Sequence, residues 1–454
     1  MIATRKRRLQ TIQVTGLFRI FDHTIKLNQR QRITFVHGVN GTGKTAVLRM
    51  VKGLFGGTYD AFRRVPFDTF IVTFDDSTRI SVECSPSSRK APRRDIELMV
   101  RVKSRNGRDK SIRVPCTNDG DWVRFESAFP RDIVEDILPF LARKGRDSWR
   151  NRTTGETMSL LEVFEQYGNH LSDYHADKPP QTAELDKIQN MLSVRLIETR
   201  RLDKPDDASP RRHIRRRRPA ASTVDRYAED MAHRVQVALS QYAATSQELD
   251  RSFPNRLLST SMSMESKSRR QTMLDIASVE EKRQRLVKLG ILAHDTTFSD
   301  LPDGLDDDKL SLLSMFTDDT QEKLAVFDDL SNRISLFLEI MNSRLLYKHV
   351  AADLNKGFVV ESDGGHRLRP AELSSGEQHE LVLAYELIFM LRDHSLVLID
   401  EPELSLHLSW QQQFFPDLQR MTKLSKFDAV VATHSADIIG DRWDLAVALR
   451  GPST

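Results

Sequence analysis

The sequence is poor in cysteine and has no long apolar run. Only two of its 454 residues are cysteines, Cys84 and Cys116, too few for a disulfide framework or a four-cysteine zinc site. No apolar run approaches the roughly 20 residues that cross a bilayer, and no apolar signal core follows the basic N-terminus. We therefore expect a protein of the reducing cytoplasm with no membrane partner.

Charge of one sign is not in large excess either. The 68 Lys and Arg residues stand against 64 Asp and Glu residues, which gives a formal net charge of +4. This excess is too small to indicate a nucleic-acid binder, so any such function must come from local clusters. Hydrophobic residues make up 39% of the chain, which excludes a disordered protein, and the length allows two or three domains.

Periodic patterns divide the chain into three segments. Strand patterns and a glycine-rich turn fill residues 1–202, and strand and helix patterns resume over 350–454. Residues 203–349 begin with a charged, proline-bounded loop and continue as long helices with few breakers. We predict an α/β protein whose head has two lobes, 1–202 and 350–454, with 203–349 inserted as a coiled-coil-like helical arm. The predicted arm helices are about 222–252, 263–293 and 318–348, and Phe253-Pro254 separates the first two.

A glycine-rich segment, Gly38-Val-Asn-Gly-Thr-Gly-Lys-Thr45, follows a short apolar strand and precedes a helical pattern. This is the phosphate-loop pattern in its required context. Glycines let successive backbone N–H groups surround a phosphate, and the helix adds the positive end of its dipole. Lys44 supplies a charge for the β- and γ-phosphates, and the Thr45 hydroxyl can bind Mg²⁺. A glycine turn that matches by chance is the alternative, which the flanking strand and helix disfavour.

A second segment, Ser395-Leu-Val-Leu-Ile-Asp-Glu401, is an apolar strand that ends in two carboxylates. In open parallel sheets, ligands bind at that end of the strands. Asp400 is suited to hold Mg²⁺, and Glu401 to orient or deprotonate an attacking water. Alone, the pattern is equally that of a buried strand with an acidic end. Combined with the phosphate loop, it favours a nucleotide site.

Two further segments complete the set of candidate residues. Leu373-Ser-Ser-Gly-Glu377 opens a long helix, where free N–H groups and the Ser374 hydroxyl form a second anion site, although any well-capped helix begins in this way. The strand pattern from Ala429 ends at His434. A lone histidine is usually a core residue, but at a strand end it could sense a γ-phosphate. Two separate anion sites suggest a nucleotide held between two subunits.

Together these motifs resemble those of ABC-type ATPases of the SMC, Rad50, RecF and OLD group. The motifs that carry the resemblance are Asn40 in the phosphate loop, Leu373–Glu377, Asp400–Glu401 and Thr433–Ser435. They follow one another in the order of the family. The resemblance covers about 1–202 and 350–454 and implies an ABC-type P-loop NTPase head with mixed sheets flanked by helices.

The resemblance also implies a role for each candidate residue. The Walker A loop that binds ATP comprises Gly38, Asn40, Gly41, Gly43, Lys44 and Thr45, of which Thr45 also binds Mg²⁺. Ser374 and Gly376 contact the γ-phosphate of ATP bound to another chain. Asp400 is the Walker B aspartate that binds Mg²⁺, Glu401 the catalytic glutamate and His434 the catalytic switch histidine. Glu403–His407 is similar to the D-loop, Ser375 stands where many relatives have glycine, and no Q-loop glutamine is placed.

Length and cysteine content separate the subfamilies. The insertion lacks cysteine and is far shorter than the coiled coils of SMC and Rad50. Only 20 residues follow His434 in this sequence, so we expect no Toprim domain of the kind found in OLD nucleases. Three sequence segments resemble those of anti-phage defence ATPases such as AriA of PARIS and PtuA of Septu and retron systems. These segments are Val194–Leu202, Leu406–Gln412 and Asp441–Leu445.

This likeness to defence ATPases implies an ATP-hydrolysing sensor and scaffold of an anti-phage system. It implies a homo-oligomer, at least a dimer, with ATP at the interface between copies. The assembly would control a separate effector protein, a nuclease, and a phage-encoded trigger would be a further partner.

Two basic clusters leave another function open. Arg5–Arg8 and Arg211–Arg218 could contact DNA or RNA phosphates. Neither is interleaved with aromatics, and a solvated loop or a patch that meets the acidic segment Asp303–Asp308 is equally consistent. The alternative function is a RecF-like DNA-repair or DNA-maintenance ATPase that binds DNA through these arginines. A stand-alone nuclease has little support, because we find no HNH run and no spare carboxylate set.

Overall fold

The computed structural model describes residues 7–84, 97–104, 109–114, 134, 141–145, 148–151, 157–159, 163, 183–198, 222–259, 268–292 and 307–451. The chain forms two compact units. The first unit is built from Met1–Arg218 and Leu391–Thr454, and the second from Pro219–Met390.

An antiparallel sheet with one apolar face belongs to the first unit. Its strands are β1 (Leu9–Leu17), β2 (Phe21–Lys26), β4 (Thr69–Phe74), β5 (Arg79–Cys84), β6 (Leu98–Lys103) and β7 (Lys110–Val114). Their order is β2-β1-β4-β5-β6-β7, and neighbouring strands run antiparallel. Successive side chains of a strand point to opposite faces. Ile12 and Val14 are therefore buried in the core, while Thr11 and Gln13 on the other face are half-buried.

A parallel sheet is the second layer of this unit. Its strands are β3 (Ile33–His37), β11 (Val194–Ile197), β15 (Leu396–Asp400), β16 (Asp428–Thr433) and β17 (Ala446–Ala448). The order is β11-β15-β16-β3-β17, and each neighbouring pair is parallel. β15 and β16 are buried along their whole length, as expected for strands covered on both faces. Parallel strands bring all five carboxyl ends to one edge of the sheet.

The remaining described elements of the first unit are five α-helices, two 3-10 helices (Pro402–Ser405 and Trp443–Leu445) and a small sheet. The helices are α1 (Lys44–Gly56), α2 (Asp60–Arg64), α3 (Ala183–Gln189), α9 (Leu408–Ser425) and α10 (Ala436–Ile439), and the strands are β8 (Leu141–Arg143), β9 (Ser148–Asn151) and β10 (Thr157–Ser159). Val47, Val51 and Leu54 of α1 lie in the same apolar cluster as residues of both larger sheets. Burying each such side chain contributes about 1.5–3 kcal/mol. This core fixes where α1 begins, directly after the glycine-rich loop.

The second unit joins helices to a short antiparallel sheet. Its elements are α4 (Thr223–Ser259), α5 (Arg269–Lys288), α6 (Asp307–Ala325), α7 (Asp328–Arg344), β12 (Lys348–Asp353), β13 (Gly357–Ser362), β14 (Arg367–Leu368) and α8 (Ser375–Phe389). The Tyr227 ring of α4 stacks on the Tyr385 ring of α8, with centroids 4.6 Å apart. The Tyr385 hydroxyl donates to Asp230 at 2.6 Å, and the Tyr227 hydroxyl donates to Glu386 at 2.7 Å. One buried and one partly buried hydrogen bond thus fix α8 against α4.

The prediction that Phe253-Pro254 ends the first long helix is wrong. α4 continues to Ser259 with Pro254 inside it. Proline usually breaks a helix because it lacks an N–H and its ring meets the carbonyl four residues earlier. Here the last turns are anchored from outside the helix, since the Arg256 guanidinium binds both carboxylate oxygens of Asp319 on α6, at 2.6 Å each. This bidentate pair stabilises the helix beyond the proline.

The prediction of a single helix over 318–348 is also wrong. The chain forms α6 and α7 there, with a break at Val326 and Phe327. The Phe327 side chain is fully buried at this break, so an apolar position that fits a continuous helical pattern instead packs at a helix junction. β12 then begins at Lys348, where the helix was predicted to end.

The predicted fold class, an α/β protein with mixed sheets flanked by helices, is confirmed. The lobes 1–202 and 350–454 and the arm at 203–349 stay predictions. None of the described helices is long and apolar enough to cross a membrane. The cluster Arg211–Arg218 lies outside the described residues, as do Arg5 and Lys6 of the N-terminal cluster.

Candidate functional site

The glycine-rich loop leaves β3 and ends at the first turn of α1. Gly41 and Gly43 have positive φ angles, 84° and 90°, in a region that other residues rarely adopt. A Cβ atom on Gly43 would lie 2.5 Å from Cδ2 of Leu17 on β1, so the antiparallel sheet closes on the loop there. Gly38 is half-buried, whereas Asn40 and Gly41 at the tip of the loop are exposed. The loop therefore presents its backbone at the carboxyl edge of the parallel sheet.

A histidine on β2, which the sequence alone did not identify as a site residue, contacts this loop. Nε2 of His23 lies 2.8 Å from the carbonyl oxygen of Thr42, which can only accept, so the ring donates this hydrogen bond. The His23 side chain is 5% exposed. It lies on β2 opposite the buried Val14, and the strand alternation alone identifies it only as an inward-facing residue.

We expect Gly43→Ala to lower the free energy of unfolding by about 2 kcal/mol more than Gly41→Ala does, and to abolish ATP binding. Both variants place a side chain at a positive φ, but only the Gly43 variant also meets Leu17, because nothing lies within 4 Å of a Cβ at Gly41. Urea unfolding and equilibrium binding of a fluorescent ATP analogue check this. Equal losses of stability would contradict the packing of β1 against the loop.

The Lys44 amine is held inside the loop by backbone carbonyl groups. Nζ donates to the carbonyl oxygens of Gly38 at 2.9 Å and Val39 at 3.3 Å, and lies 3.4 Å from Nδ1 of His434. Burial lowers the pKa of Lys44, while the nearby charges of Glu401, Asp400 and Glu403 oppose that shift. A phosphate that enters the loop would meet this positive charge directly.

Thr45 and Asp400 meet between the first turn of α1 and the end of β15. The Thr45 Oγ1 hydroxyl donates to Oδ1 of Asp400 at 3.1 Å. Asp400 is 6% exposed. Burial raises its pKa, as does the neighbouring Glu401, while the bond from Thr45 lowers it. This hydroxyl and carboxylate form a ligand pair of the kind that binds Mg²⁺ together with phosphate oxygens and water. The described residues contain no larger cluster of His, Cys, Asp or Glu for a metal.

The residue after Asp400 has an unusual backbone conformation. Glu401 has φ 47° and ψ 57°, in the left-handed region that is costly for a glutamate. Its N–H donates to the carbonyl oxygen of Ala432 on β16 at 2.9 Å. This bend turns the Glu401 carboxylate away from the strand, so that its Oε1 lies 3.5 Å from Nε2 of His434.

His434 connects the other residues of this site. It follows β16, and its backbone N–H donates to Oε1 of Glu403 at 2.7 Å. Its two ring nitrogens face Lys44 on one side and Glu401 on the other. The chain segments that follow β3, β15 and β16 therefore bring four groups to a single edge of the sheet. These are the Lys44 amine, the Asp400 and Glu401 carboxylates and the His434 imidazole. The roles assigned to these residues stay predictions.

An ion pair beside Asp400 was not foreseen from the sequence. Ile197 of β11 pairs with Ile399 of β15 in register, so Glu198 emerges beside Asp400. Oε1 of Glu198 accepts a hydrogen bond at 3.1 Å from Nε of Arg49 on α1. The charge of Arg49 lowers the pKa of Asp400, and that of Glu198 raises it. The sequence shows both residues, but only the strand register and α1 bring them together.

Ser374 and Gly376, the predicted contacts of the γ-phosphate, lie in the second unit. Ser374 is the N-cap of α8, and its hydroxyl accepts from the N–H of Glu377 at 3.4 Å. Ser374 and Ser375 are exposed, and Gly376 is half-buried in the first turn. An exposed, capped helix start can receive an anion, as the sequence analysis expects.

Comparison with known proteins places this geometry in a class. A family profile described as "AAA domain, putative AbiEii toxin, Type IV TA system" matches residues 171–440. With the phosphate loop and the strand ends described above, this match defines a P-loop ATPase domain. Because the match spans more than half of the chain, the protein belongs to this family. No curated protein sequence matches the chain.

Several solved structures are similar to the chain at low identity. One is the Smc head domain with an extended coiled coil bound to the C-terminal domain of ScpA, from Pyrococcus furiosus, at 12% identity and TM-score 0.33, covering 98% of this chain and 94% of that one. Another is the SMC head domain from Thermotoga maritima, at 10% identity and TM-score 0.30, covering 97% and 92%. A third is an SmcHead bound to the C-winged helix domain of ScpA, at 10% identity and TM-score 0.33, covering 95% and 91%.

Proposed function

We propose that the chain binds and hydrolyses ATP at the carboxyl edge of its parallel sheet. The observation that carries this proposal is the convergence of its charged groups. Nζ of Lys44 lies 3.4 Å from the His434 ring, and Oγ1 of Thr45 lies 3.1 Å from Asp400. Glycine-rich loop, amine, hydroxyl and carboxylates are the set that phosphoryl transfer needs, because its catalysis is mainly positioning and charge stabilisation.

Each residue of the site has a task that its position suits. The loop N–H groups bind the β-phosphate, and Lys44 exchanges its carbonyl partners for phosphate oxygens. Glu401 orients and deprotonates the attacking water, and His434, held by Glu403, hydrogen-bonds the γ-phosphate. Thr45 and Asp400 would hold Mg²⁺, which when bound neutralises charge on the phosphates.

A second copy of the chain completes the nucleotide-binding site. Ser374 and Gly376 of that copy bind the γ-phosphate, so ATP links at least two subunits. The exposed, capped start of α8 supports this role. There the Ser374 hydroxyl and the N–H groups of the first helical turn lie at the positive end of a helix dipole. ATP binding then favours the assembled state, and hydrolysis weakens it.

This ATP-driven assembly serves as the sensor and scaffold of a cytoplasmic anti-phage defence system. The family description names a putative AbiEii toxin and a type IV toxin–antitoxin system. The sequence segments Val194–Leu202, Leu406–Gln412 and Asp441–Leu445 resemble those of defence ATPases. A separate effector protein, a nuclease, is held by the assembly. A phage-encoded trigger, or ATP hydrolysis, releases it.

A phage challenge with matched variants tests this function. Cells that carry the gene and its neighbouring genes should form fewer plaques than cells without them, and Lys44→Ala should remove the protection. The product of a neighbouring gene should also co-purify with the chain and dissociate when ATP is hydrolysed. Protection that survives Lys44→Ala, or a chain that retains DNA and no partner protein, would contradict the proposal.

A further inference from the structure

The start of α8 carries a negative charge at the place where the proposed function needs a phosphate. Oε2 of Glu377 accepts from the N–H of Ser374 at 2.8 Å, and the Ser374 hydroxyl accepts from the N–H of Glu377. This reciprocal arrangement is a capping box. It stabilises the helix, but an uncompensated carboxylate there would repel an approaching phosphate.

A lysine on β12 compensates this carboxylate. Nζ of Lys348 lies 2.8 Å from each of the two carboxylate oxygens of Glu377. The side chains are only 26% and 12% exposed, so solvent screens the pair incompletely. Burial raises the pKa of Glu377, but the contact with Lys348 and the bonds from Ser374 outweigh it and hold that pKa below its usual value. Glu377 is therefore ionised, and the pair as a whole is neutral.

A second ion pair holds the same two segments together one turn later. Nη1 of Arg344 lies 3.2 Å from Oε1 of Glu380, and these side chains are 4% and 6% exposed. The five-residue segment Arg344–Lys348 joins α7 to β12. Its two ends thus form ion pairs with the first two turns of α8. The buried pair fixes where the helix starts, and Lys348 faces the end that would meet the anion.

We propose that Lys348 is a positioning residue for the phosphate site of α8. It neutralises Glu377, so that the Ser374 hydroxyl and the N–H groups of Ser375 and Gly376 can donate hydrogen bonds to the γ-phosphate of ATP bound by a second copy. The inference rests on the proposed function. Lys348 binds Glu377 and not the nucleotide, so its loss changes assembly at α8 and leaves ATP binding to the Walker A loop intact.

ATP-driven self-association tests this role. The ATP concentration for half-maximal association, measured by light scattering with Mg²⁺ present, should rise about tenfold in Lys348→Met, because a like charge then faces the phosphate. Lys348→Arg, which keeps the charge, should stay within about threefold of the parent. Adding Glu377→Gln to Lys348→Met should restore association to within about threefold, since glutamine keeps the capping box without the charge. Lys356→Met is the control, because Lys356 is exposed in the turn after β12.

The outcomes separate this inference from the proposed function. Ser374→Arg, which blocks the phosphate position itself, should abolish association; association that survives it contradicts the proposed function. If Ser374→Arg abolishes association and Lys348→Met leaves it unchanged, only the inference about Lys348 fails. If Lys348→Met weakens association but Glu377→Gln does not restore it, Lys348 acts through packing, and the charge explanation is overturned. Thermal melting of each variant confirms that it is folded.

Discussion

Lys44→Ala should abolish ATP binding and lower ATP turnover by at least about 100-fold, the cost of removing one group that stabilises charge in a transition state. The Lys44 amine lies within the glycine-rich loop, where it donates hydrogen bonds to the carbonyl oxygens of Gly38 and Val39. Without it, negative phosphates would enter a loop that faces Asp400, Glu401 and no compensating lysine.

Equilibrium binding of ATP and release of inorganic phosphate measure this effect. Lys52→Ala is the matched control, because Lys52 lies on the same helix two turns beyond the loop. It should leave binding and turnover near those of the parent. Turnover in Lys44→Ala within about threefold of the parent would show that the loop does not bind the triphosphate, because that amine is worth several kcal/mol to the transition state.

Glu401→Gln should trap ATP instead of excluding it. General-base catalysis contributes about 10²–10⁴-fold, so turnover should fall at least about 100-fold. Glutamine has nearly the shape of glutamate and removes only the basic carboxylate beside His434. The loop, Lys44 and Thr45 remain, so ATP should stay bound and the assembled state should accumulate. Nucleotide retained after gel filtration, together with the turnover rate, measures both effects.

Glu403→Gln is the comparison that isolates the role of Glu401. Oε1 of Glu403 accepts the backbone N–H of His434 at 2.7 Å, and an amide oxygen can accept the same bond. Its turnover should therefore fall far less than that of Glu401→Gln. Unchanged hydrolysis in Glu401→Gln would assign the activation of water to another residue.

The parts of the site that are local in sequence could be predicted without a structure. The loop needs glycines at set spacings between a strand and a helix, and β3 and α1 confirm that context. An apolar strand that ends in carboxylates is visible in the same way. The direction and register of β15 against β16 then bring Asp400 and His434 to one edge of the sheet, which follows from a parallel pairing but not from either strand alone.

The contacts that the sequence did not predict are those set by tertiary packing. Glu198 reaches Asp400 only through the register of β11. Lys348 reaches Glu377 only because the fold brings the first residue of β12 to the first turn of α8. His23 looks like any inward residue of a strand until the loop lies over it. Pro254 shows the converse, since a strong local signal for a helix end is outweighed by a bidentate ion pair from another helix.

The location of ATP between two copies is the central claim, and a mixing experiment tests it most directly. Chains with Lys44→Ala and chains with Ser374→Arg should each be inactive alone. In a mixed dimer, the intact Lys44 of one chain and the intact Ser374 of the other complete one site, so an equimolar mixture should regain about a quarter of the parent ATP turnover in a symmetric dimer. A mixture that stays as inactive as its components, or Ser374→Arg chains that turn over ATP alone, would contradict the claim.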